Sequence, residues 1–143
     1  MTGELQNNDD PAVLVEGALI AMHLMAAADK YIAAEEVDVI VRIAERTTGE
    51  TISIASVLDM SEQLAEQASG GAILWQSKFE PYRELSLQGR ETILKSAMMI
   101  AVSDGDFHED ERKVLGDLAG WLGLSPEEFV ELLHKVQTEV RGG

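Results

Sequence analysis

Apolar residues recur along this chain at three- and four-residue steps, in segments parted by short polar breaks, the spacing of amphipathic helices. Residues 1–9 are polar and read as a mobile tail. Asp10-Pro11 then supplies an N-cap and a proline at the first helical position. The helix it opens runs to Ala28, with Leu14, Ala18, Met22 and Met25 on one stripe and Glu16 and His23 on another. A second helix is predicted over 34–47, through Val37, Ile40, Val41 and Ala44, and Thr48-Gly49 stops it. A third is predicted over 53–68, with Ile54, Val57, Leu58, Leu64 and Ala65 as its apolar face.

Ser69-Gly70-Gly71 is the clearest breaker. Residues 72–87 are ambiguous: Trp75 and Phe79 suit one helical face, whereas Pro81 ends or kinks it. Residues 87–103 are apolar on most sides and are predicted to form the central, most buried helix. A further helix over 109–122 ends at Gly123, and Ser125-Pro126-Glu127-Glu128 reads as a capping box that opens a last helix to Val140. No strand pattern occurs. The expected fold is all-α, a single compact bundle of about seven helices.

One pattern occurs twice. At an offset of 75, residues 26–44 and 101–119 share Ala26/Ala101, Asp29/Asp104, Glu36/Glu111, Val39/Val114 and Ala44/Ala119. Ile32/Phe107, Ile40/Leu115 and Ile43/Leu118 keep apolar character. The period exceeds that of solenoid arrays and two copies cannot build one. A pseudo-two-fold within one domain, residues 10–143, is expected instead, with halves 11–68 and 87–140 joined by a connector, 69–86.

Composition narrows the function classes. A length of 143 residues suffices for a sizeable core. Aromatic residues make up only 5% of the chain, so Ala, Leu, Ile, Val and Met must fill that core, which favours close-packed helices. The net charge of −15 opposes nucleic acid and anionic membrane surfaces, and favours cations and basic partners. With no cysteine, disulfides, thiolate metal sites and cysteine nucleophiles are excluded. The start lacks the pattern of a signal peptide, and the apolar stretch 12–28 carries Glu16 and His23, so direct membrane insertion is not expected and a cytoplasmic protein is.

The repeated acidic motif admits two readings. An Asp in a turn hydrogen-bonds nearby backbone amides, and a Glu at a helix start is stabilised by the macrodipole. On that reading the two copies are two similar corners. Alternatively the carboxylates of Asp29, Glu36, Asp104, Asp106 and Glu111 ligate a hard cation, Ca²⁺, Mg²⁺ or Mn²⁺, through oxygen alone. The second turn is not an EF-hand loop, because Glu109 stands where the glycine belongs and Leu115 where the last glutamate belongs. Lys30 replaces Gly105 in the first copy. His23 is expected to be partly buried and hydrogen-bonded, His134 exposed, and Trp75, Phe79 and Tyr82 packed between helices. No zinc-protease, nucleophile-elbow or phosphate-loop motif is present, and no catalytic residue is assigned.

The run Ala101, Asp104-Gly105, Phe107 and Glu111, entering an aliphatic helix and followed by Leu122-Gly123-Leu124-Ser125-Pro126-Glu127-Glu128-Phe129, resembles the TerB-like family of tellurite resistance proteins. That family includes the N-terminal region of a membrane-anchored DnaJ-type co-chaperone. The match is strongest over Ile93–Leu133 and fainter over Leu14–Ala44. The resemblance implies a pseudo-symmetric helical bundle, cytoplasmic and non-enzymatic. It also implies acidic positions suspected of binding metal, and an integral membrane partner of the same resistance system. The carry-over reaches Asp104, Gly105 and Glu111 best, then Asp29 and Glu36. Direct capture of tellurite is disfavoured on physical grounds: the chain repels an oxyanion and has no thiolate to reduce it. An interaction module tuned by a cation, a metal-sensing protein and, remotely, a carboxylate-based hydrolase are the resulting readings. Oligomeric state is not legible.

Overall fold

The computed structural model describes residues 10–27, 34–69, 75–103 and 109–142. Among them, seven α-helices follow in order: α1 (Pro11–Ala27), α2 (Ala34–Thr48), α3 (Ile54–Ser69), α4 (Trp75–Phe79), α5 (Leu87–Ser103), α6 (Glu109–Trp121) and α7 (Pro126–Gly142). A 3₁₀ helix, Glu80–Glu84, follows α4 directly, and the described residues contain no strand. Residues 1–9, 28–33, 70–74, 104–108 and 143 lie outside the described residues, and the expected tail and the acidic stretches of the motif fall among them.

Local chemistry sets the helix ends. At the start of α1, Asp10 Oδ1 accepts the Ala12 amide at 3.0 Å, as an N-cap should. Ser53 and Ser86 cap α3 and α5 in the same way, accepting the amides of Ser56 and Gly89 at 3.1 Å. The capping box at α7 is reciprocal: Glu128 receives the Ser125 amide at 2.8 Å and Ser125 Oγ the Glu128 amide at 3.1 Å.

The end of α6 is a Schellman motif. The Leu124 amide bonds Ala119 O and the Gly123 amide bonds Gly120 O, with Gly123 at φ 78°. Arg90, from the first turn of α5, donates to Leu122 O at 3.2 Å and Gly123 O at 3.1 Å, placing a cation at the negative pole of α6.

Helices α1 and α5 share the centre of the bundle and make the most extensive helix–helix contact. Centrality is thus not confined to α5, as its apolar run suggested: residues 17–19 and 21–25 of α1 are equally enclosed. α5 also packs on α2, α6 and α7. At the crossing, a Cβ on Gly17 would lie 2.5 Å from Ile93 Cδ1 and 3.3 Å from Tyr82 Cδ1, so the hydrogen of glycine lets the two helices approach.

Buried side chains from α1, α2, α3, α4, α5, α6 and α7 and from the 3₁₀ turn form one continuous cluster. Four of its members are Met22, Met25, Met98 and Met99, which fill space that aromatic rings fill elsewhere. The connector contributes to this core. Phe79 is fully enclosed, its ring stacked on Trp121 at 6.1 Å and tilted against Tyr82 at 6.2 Å. Pro81 opens the 3₁₀ turn that follows rather than kinking a longer helix.

The outer helix α3 departs from its predicted face. Val57 and Leu64 are buried, but Ile54 and Leu58 are 53% and 50% exposed. The buried stripe runs instead through Val57, the half-buried Ser61 and Leu64, because Ser61 has a polar partner in the core.

Candidate functional site

Helix α6 opens on three acidic residues, Glu109, Asp110 and Glu111, at the helix end where the macrodipole favours negative charge. Glu109 and Asp110 are exposed and Glu111 is half-buried. Where this start meets α7, Glu109, Asp110, Arg112, Lys113 and Phe129 line a shallow depression of ≈ 440 Å³. Two bases stand among its acids, so this part of the surface is not a purely anionic trap.

Helix α2 has the same start. Ala34 and Glu109, 75 positions apart, each begin a helix, and Glu36 and Glu111 are each the third residue of theirs. Behind them the core positions keep step: Ile40 and Leu115, Ile43 and Leu118, Ala44 and Ala119 are all buried. Both helices therefore turn the same face inward and begin at the same point of the motif.

Of the predicted site residues, Glu111 is placed in full and Glu36 by its backbone alone. Asp29, Asp104, Asp106 and the side chain of Glu36 lie outside the described residues. Among the described residues no group of three or more His, Asp or Glu side chains is gathered to hold a metal ion. The oxygen-only donors of the motif match the chemistry of a hard divalent cation, and Glu111 is the one whose surroundings are described.

Three polar contacts, each with one buried member, were not foreseen as pairs. His23, 3% exposed, has Nδ1 2.6 Å from Leu19 O and Nε2 2.6 Å from Ser61 Oγ. A carbonyl only accepts, so Nδ1 carries the proton and Nε2 accepts from the Ser61 hydroxyl. Burial pushes the His23 pKa below its ordinary value, partly offset by the bond to Leu19. Tyr82 donates to Glu16 Oε1 at 2.7 Å, and burial, then that bond and the carboxylate charge, push its pKa well above the usual phenol range. The hydroxyls of Thr47 and Ser96 lie 2.7 Å apart and join α2 to α5. All three pairs link separate elements and read as structural. The sequence held a weak signal for two of them: Glu16 and His23, one member of each, fall on one stripe of α1.

The sequence profile of the family described as tellurite resistance protein TerB matches residues 16–134. The chain belongs to the TerB family. The match runs from Glu16 in α1 to His134 in α7, so the TerB region takes in all or part of each of the seven described α-helices. Comparison with curated proteins and with solved structures returned no match. The all-helical TerB architecture agrees with the fold seen here. No helix among the described residues is long and apolar enough to cross a membrane.

Proposed function

We propose that this TerB-family chain is a non-enzymatic, cytoplasmic interaction module implicated in tellurite and stress resistance, tuned by a divalent cation at its two acidic turns. One observation carries the reading: α2 and α6 begin 75 residues apart, each with the motif glutamate at its third position. A carboxylate repeated at equivalent places of two helix pairs is what an internal pseudo-two-fold with two related cation sites would produce. Asp29 and Glu36 belong to one site, and Asp104, Asp106 and Glu111 to the other, with Ca²⁺, Mg²⁺ or Mn²⁺ as the ion their oxygens suit. The net charge of −15 favours both cations and basic protein surfaces. The partner would be a protein, with an integral membrane component of the same resistance system as the first candidate.

The test is a thermal melt of metal-stripped protein with and without millimolar Ca²⁺, Mg²⁺ or Mn²⁺, beside the Asp104→Asn/Glu111→Gln double variant. A ligand that binds only the folded state raises the melting temperature by mass action. A rise of several degrees that the variant loses supports the cation-tuned module. An equal melt with every ion would reduce the repeated motif to two structural corners.

A further inference from the structure

Helix α3 carries two of the chain's exposed large apolar side chains, and they lie on one face. Ile54, Leu58, Glu62 and Glu66 are successive members of a four-residue row, with Asp59 beside it, and all five are exposed. The row is apolar over its first half and acidic over its second. The adjoining side of α3 is fixed, with Val57 and Leu64 buried and Ser61 bonded to His23. The outward face is therefore held in place by the rest of the bundle.

We propose that this face docks a basic amphipathic helix of a partner protein, whose apolar residues cover Ile54 and Leu58 while its Lys and Arg meet Asp59, Glu62 and Glu66. Charge selects this occupant. Residues 47–77 contain four acidic residues and no Lys, Arg or His. A second copy brought face to face would set like charges together, and an anionic lipid surface is repelled in the same way. The inference rests on the interaction-module reading and names the class of partner.

The probe is a synthetic 18-residue helix of Leu on one face and Lys on the other, titrated into the full chain by calorimetry and by amide chemical-shift mapping. The expected result is saturable binding with shifts centred on α3, weakened by salt and lost on scrambling the peptide. Leu58→Asp and Glu62→Lys should each weaken it about tenfold or more, with unchanged circular dichroism. Both positions are exposed, so the variants are expected to fold. Equal affinity for the scrambled peptide, or shifts centred elsewhere, overturns α3 as the docking face and leaves the module reading standing. Self-association of the free chain that Leu58→Asp abolishes makes a second copy the occupant and overturns the proposal. The cation melts are independent: their failure removes the tuning and leaves this binding result intact.

Discussion

His23 Nε2 accepts a hydrogen bond from the Ser61 hydroxyl, 2.6 Å between the heavy atoms, and that bond ties the central helix α1 to the outer helix α3. The imidazole is neutral there, with both nitrogens engaged. Because its folded pKa lies below the free value, the unfolded chain binds the proton more tightly. The stability this group contributes is complete above the unfolded pKa of about 6.5 and is lost as pH falls from there toward the folded value. The melting temperature should therefore drop between pH 7 and pH 5, above the range where most carboxylates titrate. His23→Phe should flatten that limb. Ser61→Ala leaves Nε2 unpaired and should cost about 1–2 kcal/mol at pH 7. An equally steep limb in the His23 variant would show that another group governs it.

Tyr82 predicts the opposite limb. Its folded pKa is raised, so its contribution is complete below the unfolded pKa of about 10 and declines as pH rises beyond it. In a spectrophotometric titration, Tyr82 should stay protonated until the chain unfolds. Tyr82→Phe removes the bond to Glu16 and should cost about 1 kcal/mol near neutrality, with a shallower alkaline decline. Ionisation of both tyrosines near pH 10 in still-folded protein would refute the bond as a determinant.

Glycine positions separate packing from propensity. Gly17→Ala gains helix propensity but drives a methyl into Ile93 Cδ1, and should come out destabilising by about 1–2 kcal/mol. Ile93→Val removes the obstructing carbon, so the double variant should be less damaged than the two single effects added together, as a chemical-denaturation cycle would reveal. Gly116→Ala meets nothing within 4 Å and should stabilise by about 0.5–1 kcal/mol. Strict additivity at 17 and 93 would mean that the helices simply part.

Much of the bundle was legible because its signals are local. Asp10-Pro11, Thr48-Gly49 and Ser125-Pro126 mark ends through hydrogen bonds to their own backbone, and the structure places helix ends at each. The face of α3 was not legible. Ile54 and Leu58 look like core residues by hydrophobicity, and only the position of His23, 38 residues before Ser61, explains why a serine faces inward in their stead. In the connector, Phe79 and Tyr82 pack inward as expected, but their partners were not legible. Pro81 reads as a breaker, but whether Phe79 and Tyr82 then point inward depends on Trp121 and Glu16, far along the chain. At the candidate site, the offset of 75 foretold where α2 and α6 begin. Asp29, Asp104 and Asp106 fall outside the described residues.

The methionines of the core give the chain a particular relation to oxidants. Four of its six thioethers, those of Met22, Met25, Met98 and Met99, are at most 5% exposed, and there is no thiol. Peroxide turns a thioether into a polar sulfoxide that a packed interior cannot hold. Reagents are expected to reach these four sulfurs while the bundle is open, so their oxidation should follow the fraction of time it spends open, and each sulfoxide should then disfavour refolding. Resistance to oxidation and resistance to unfolding are thereby one property of this protein.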